Sequence, residues 1–215
     1  MTSAQNPQAL LFIATGCQHC PSVLQSLSEL IKSGTLSSLE VVNLQQNPER
    51  ANELGIRSVP WVKIGPFELT GLRSKSELEQ WVQRADEPSA MGDYFGELMI
   101  SGEINKVQTI INNNPEYFKT LFELMAKAGT TLSVRIGIGA VIEDFAGSEL
   151  LKNNIDTLGA YTKHTEAHVR TDACHYLGLS QSKKAIEYIE PLLNDENKDV
   201  REVAKEALEE LNESI

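Results

Sequence analysis

The sequence predicts two domains: an α/β domain of order β-α-β-α-β-β-α at residues 1–87, then an all-α solenoid of helical repeats at 93–215. Three observations predict it. From residue 9 to about 84 the apolar pattern alternates between strand-like and helix-like periods. After residue 93 strand signals almost vanish and a repeated helical pattern takes over. The charge also divides unevenly. Residues 1–87 carry seven Lys/Arg against nine Asp/Glu, and residues 88–215 carry twelve against twenty-one, within a formal net charge of −11 over 215 residues.

Taken in order, residues 9–14 (ALLFIA) read as a fully buried strand. Val23, Leu27, Leu30 and Ile31 then share one helical face, which stops at Ser33-Gly34. Residues 39–44 (LEVVNL) read as a second buried strand, and 48–55 as a short helix started by Pro48 and stopped by Gly55. Residues 59–64 (VPWVKI) read as a third strand, and Gly65-Pro66 turns the chain into a short paired strand at 67–70. Ser74 and Glu77 match a capping box ahead of Leu78, Trp81 and Val82, two of which, Leu78 and Trp81, are candidate core. Residues 85–93 (ADEPSAMGD) lose periodicity and gather Pro, Ser and Gly, as a linker does.

The second half repeats. VRIGIGAVI (134–142), VRTDACHYL (169–177) and VREVAKEAL (200–208) share V-R-x-x-[A/I]-x-x-x-[I/L], offset by 35 and then 31 residues. Each copy is preceded by another amphipathic segment, at 115–129, 148–161 and 183–195. Asn114 before Pro115, and Asp195, supply start signals. A leading pair at roughly 93–101 and 103–113 fits the pattern least well, as a terminal cap would.

The chemistry concentrates at ATGCQHCP (14–21), where Cys17 and Cys20 form C-x-x-C at the exit of a strand and the mouth of a helix. That place sets the first thiol beside unpaired backbone N–H groups and the positive end of the helix dipole, which stabilise a thiolate. Cys17 would attack, and Cys20, one turn in, would resolve the mixed disulfide. His19 between them adds positive charge near Cys17 when protonated. Two other readings stand beside this one. The pair could bind zinc or copper with His19, although no second pair completes a tetrahedral site, or could be two inert small residues.

Strand, C-x-x-C, helix, and then Val59-Pro60 forty residues after Cys20 resemble the thioredoxin superfamily over roughly residues 8–84. The short lead before the first strand and Pro21 after the pair bring the domain nearer its minimal glutaredoxin-like forms. The resemblance implies thiol–disulfide exchange on protein substrates, a cis Pro60 lying against the cysteines, and a strand edge there that pairs with substrate backbone. Three departures are visible. Gly16 replaces the usual tryptophan before the first cysteine, and Trp61 replaces the usual threonine after the proline. The family's buried acid maps near Leu11, so no carboxylate stands ready to take the proton from Cys20. Lys32, Arg57, Lys63 and Arg73 are scattered, and no basic cluster for glutathione is evident; no cofactor is expected.

The second half resembles HEAT-type α-solenoids over about 120 residues, which implies a concave protein-binding face. Its acidity favours basic or neutral protein partners and disfavours nucleic acid and anionic membrane. With no secretory signal, no membrane span and no even cysteine framework, the expected location is the cytoplasm. Cys174 is expected to pack between repeats. His168, Asp172 and His175, close together on one helix face, are a solvated stripe or a metal or partner site. The competing functional expectation is an adaptor whose solenoid binds a partner and whose first domain is redox-sensitive or inert.

Overall fold

The computed structural model describes residues 6–214, so the outermost positions of both expected domains, 1–5 and 215, lie outside the described residues. The chain divides into two compact units after Ala90. The first runs β1 (Gln8–Ile13), α1 (Cys20–Lys32), β2 (Ser38–Asn43), α2 (Pro48–Glu53), β3 (Trp61–Ile64), β4 (Phe67–Thr70) and α3 (Lys75–Gln83). This is the element order that the alternating periods predict.

The four strands form one sheet in the order β2-β1-β3-β4. β1 runs parallel to β2 and antiparallel to β3, with Phe12 opposite Trp61 and Leu11 opposite Val62. Adjacent side chains on a strand face opposite ways. Phe12 accordingly joins Val42, Ala51, Ile56 and Trp61 in one cluster under α2. Helices α1 and α3 pack together and bury Val23, Leu27, Leu30 and Leu78.

β2 departs from the expectation of a buried strand. It is one edge of the sheet, and of its six residues Ser38, Glu40 and Val41 are exposed, Val41 at 40%. β3 starts two residues later than expected, because Pro60 lacks the N–H that a ladder position uses. Its carbonyl accepts a hydrogen bond from Gly71 N–H at 2.9 Å. The capping box forms: Ser74 Oγ accepts from Glu77 N–H, and Glu77 Oε2 accepts from Ser74 N–H at 2.8 Å. The Ser74 hydroxyl, which also donates to Glu77 Oε2 at 2.7 Å, and then the Ser74 N–H hold the Glu77 carboxyl below its ordinary value.

The expected linker is partly helical. Turns occupy 84–86 and 88–89, and α4 (Ala90–Ile100) begins inside the segment. The reason is apolar spacing that runs through it, since Met91, Tyr94, Phe95 and Leu98 are all buried.

The second unit continues with α5 (Ile104–Asn113), α6 (Phe118–Ala126), α7 (Leu132–Glu143), α8 (Glu149–Lys152), α9 (Ile155–Ala160), α10 (Ala167–Leu179), α11 (Ile186–Ile189) and α12 (Lys198–Ser214). The V-R segments are α7, α10 and α12, each with its valine buried. Their partner segments are more broken than periodicity suggests. Residues 148–161 split at Asn153-Asn154, where Asn154 leaves helical geometry and donates to Leu150 O. Residues 183–195 alternate 3-10 and α turns around Pro191. Close packing explains one glycine here: a Cβ on Gly137 of α7 would stand 2.7 Å from Met99 Cγ of α4.

The repeated arginine has a structural use. Arg170 forks onto Asp195 at 2.8 Å through Nε and Nη2, and its Nη1 donates to the His164 and Thr165 carbonyls of the turn before its own helix. Arg201 holds the Asp195 and Glu196 carbonyls in the same way, and Arg135 forks onto Asp172 at 2.8 Å. One signature position thus fastens each helix to a turn or to the next repeat.

Candidate active site

The site sits where β1 ends. After Ile13 the chain turns through Ala14–Cys17, closed by Cys17 N–H to Ala14 O at 3.3 Å. Gly16 takes φ +80°, in the left-handed region that favours glycine, with nothing within 4 Å of where a Cβ would be. The position that departs from the family tryptophan thus has a backbone reason for its residue. Gln45, in the turn after β2, accepts from Thr15 N–H through Oε1 at 3.1 Å and anchors this turn from outside.

Cys17 and Cys20 are joined as a disulfide, with Cα atoms 5.5 Å apart. Their surroundings differ. Cys17 is half-buried at the rim, whereas Cys20 begins α1 and is 4% exposed. The Cys20 backbone N–H points at Cys17 Sγ at 3.2 Å. Cys17 Sγ therefore faces the first-turn N–H groups of a thirteen-residue helix, whose dipole favours negative charge there. Gln18 and His19 between them are exposed, and His19 is the N-cap residue without a capping side-chain bond.

The Val59–Pro60 peptide is cis. Pro60 is buried, and Val59 O lies 3.7 Å from Cys17 Sγ, close enough to accept from the thiol in the dithiol form. Cys17, His19 and Cys20 thus share one turn, and the carbonyl of the residue before Pro60 faces its first sulfur. Gln45 and the Val59 carbonyl belong to the same site and were missed by sequence reasoning. No local motif marks them, because they meet the turn across 30 and 42 positions.

Leu11 is fully buried and pairs with Val62, so the position where the resemblance places an acid is apolar. Of the scattered cations, Lys63 pairs with Glu68 and Arg73 with Glu77. On α10, Asp172 is taken by Arg135, and the described residues contain no group of three His, Cys, Asp or Glu placed to hold a metal ion. Cys174 is fully buried, and burial pushes its thiol up to about 12. No helix among the described residues is long and apolar enough to cross a membrane.

A family model of the thioredoxin domain matches residues 10–83, and a model of HEAT repeats matches residues 118–209. Among curated proteins, a thioredoxin of Methanocaldococcus jannaschii is 30% identical over 76 residues, which is 34% of this chain and 89% of that protein. The chain therefore belongs to the thioredoxin family through its first unit, and HEAT repeats are matched in its second.

Proposed function

We propose that this protein is a thiol–disulfide oxidoreductase acting on protein disulfides, with its HEAT-repeat unit as the platform that holds the substrate or a partner. In the reducing direction the Cys17 thiolate attacks one sulfur of a substrate disulfide. A mixed disulfide forms and one substrate thiolate leaves. The Cys20 thiolate then attacks Cys17 Sγ, the second substrate thiolate leaves, and two electrons have passed from the dithiol to the substrate. An external dithiol reductant resets the pair. His19 tunes the thiolate, and Pro60 shapes the edge on which substrate backbone docks.

The observation that carries this reading is the asymmetry of the pair: a rim sulfur receiving a helix N–H, and a buried sulfur directly behind it. Nucleophilic attack needs both a stabilised thiolate and access, and Cys17 alone combines them. The test is turnover of a chromogenic aromatic disulfide with dithiothreitol as reductant. The full chain is expected to accelerate the reaction and Cys17→Ser to abolish the acceleration, while Cys20→Ser, reduced beforehand and freed of dithiothreitol, is expected to stop at a trapped mixed disulfide. A full chain that shows no acceleration on any disulfide, yet still binds its partner after Cys17→Ser/Cys20→Ser, would establish the adaptor instead.

A further inference from the structure

One cation beside the cysteine turn has no partner in the fold. Residues 1–87 contain seven Lys/Arg, and five of them are engaged: Arg50 with Glu40, Lys63 with Glu68, Arg73 with Glu77, Lys75 with Glu29 and Arg84 with Glu87. Lys32 ends α1, about 18 Å along the helix axis from Cys20, and its charge falls on Glu29. Arg57 is exposed, and among the described residues its side chain has neither an ion pair nor a hydrogen bond.

Arg57 stands on the loop that leads into the cis peptide. Val59, whose carbonyl lies 3.7 Å from Cys17 Sγ, follows two residues later, at most about 7 Å of chain away. The connections at this end of the sheet are also free of acid. Ile13 pairs with Asn43, Phe12 with Trp61 and Trp61 with Thr70, so residues 14–19, 44–47, 54–60 and 71–74 all lie at the end that holds the cysteines. None of them is Asp or Glu, in a chain with thirty Asp/Glu against nineteen Lys/Arg. The carboxylates closest to Arg57 in sequence, Glu53 and Glu49, lie on α2. Glu53 acts on Arg50, and neither pairs with Arg57. An unneutralised guanidinium beside a nucleophile attracts an incoming anion, and its planar fork matches a carboxylate.

We propose that Arg57 is a specificity-determining residue that selects protein disulfides with Asp or Glu beside the attacked cysteine. The guanidinium receives the carboxylate while the substrate backbone lies along the Val59–Pro60 edge. The proposal deepens the thiol–disulfide reading and rests on it. It concerns the segment next to the substrate's disulfide, whereas the acidity of the second half bears on whatever partner that half holds.

The experiment compares kcat/KM of the full chain, with dithiothreitol as reductant and after subtraction of the uncatalysed rate, on two cyclic disulfide peptides. They differ only in having Glu or Lys beside both cysteines. The Glu peptide is expected to be reduced about fivefold faster, the difference between an attraction and a repulsion at an exposed charge. That ratio is expected to shrink as salt rises. Arg57→Gln is expected to bring it close to one, Arg57→Lys to keep most of it, and Lys32→Gln to leave it in place. Because the ratio is taken within each variant, a weaker Cys17 thiolate or a loosened fold slows both peptides alike and cancels. Equal rates on the two peptides in the unsubstituted chain, or a ratio that survives Arg57→Gln, overturns the proposal. Glutathione disulfide carries carboxylates without a protein backbone and is expected to be the slower substrate. A higher kcat/KM for it than for the Glu peptide makes the ligand a free carboxylate-bearing disulfide and overturns the assignment to proteins. Turnover of both peptides with a ratio of one removes the charge selection alone. No turnover of either peptide or of the chromogenic disulfide by the unsubstituted chain removes the thiol–disulfide reading, and this proposal with it.

Discussion

Cys17, Cys20 and Cys174 form a series of decreasing access, and their reactivity should follow it. After reduction, substoichiometric alkylation at neutral pH is expected to label Cys17 first, with Cys20 slow and Cys174 silent, as peptide mapping would show. Equal labelling of Cys17 and Cys20 would contradict the proposed mechanism. Cys174 adds a pH dependence. Burial raises its thiol from an ordinary 9.0 to about 12 in the folded chain. Its contribution to stability is therefore complete below pH 9 and is lost as pH climbs towards 12, because only the unfolded chain then ionises it readily. Urea midpoints at pH 8 and pH 10.5 are expected to differ less in Cys174→Ala than in the unsubstituted chain. At this scale the sequence discloses residues whose chemistry is spaced along the chain: Cys17, Cys20 and His19 within four positions, Pro60 by its distance from them. It conceals Gln45, whose hydrogen bond to Thr15 depends on two loops meeting in space.

Elements with strong periodicity, such as α1, α3 and α12, are legible because one face is apolar over several turns. β2 misleads for a physical reason. Its Leu39, Val41 and Val42, with Leu44 just beyond it, resemble a buried strand, but edge position is decided by pairing, which local composition does not encode. The paired segments of the repeats mislead differently, since an amphipathic stretch does not reveal that Asn154 or Pro191 will interrupt it. The V-R signature is visible as a recurrence, while its use becomes clear only when Asp172 and Asp195 arrive opposite the arginines. Arg170 and Asp195 each leave only 9% of the side chain exposed. Arg170→Ala is expected to cost about 3 kcal/mol in urea unfolding, because an uncompensated carboxylate stays behind. Arg170 also holds the Asp195 carboxyl below its ordinary 3.8. The stability from that pair is present above pH 3.8 and disappears as pH falls through the folded value. Arg170→Ala is accordingly expected to flatten the acid limb of the stability profile.

For the molecule as a whole, the division after Ala90 predicts that the two proposed roles can be separated. A cut between residues 89 and 90 keeps α4 intact, and each half retains its own buried core. The first fragment is expected to turn over the small disulfide at a rate within about threefold of the full chain, given that no single-domain contact it needs is removed. The second is expected to unfold cooperatively on its own and to show no redox activity, as calorimetry and the disulfide assay would record. The ion pairs of the second unit have one further consequence. Arg135 reaches forward to Asp172, and Arg170 forward to Asp195, so both forked arginine pairs point the same way along the chain, while the more exposed pairs of Lys127 with Asp93 and Lys184 with Asp156 point back. The array consequently has a head and a tail. Trimming from the C-terminus strands a guanidinium, which cannot shed its charge, whereas trimming from the N-terminus strands a carboxylate, which can take up a proton and become neutral. Unravelling is thus directional, with the last helices guarding the first more than the first guard the last, and mild acid widens the difference.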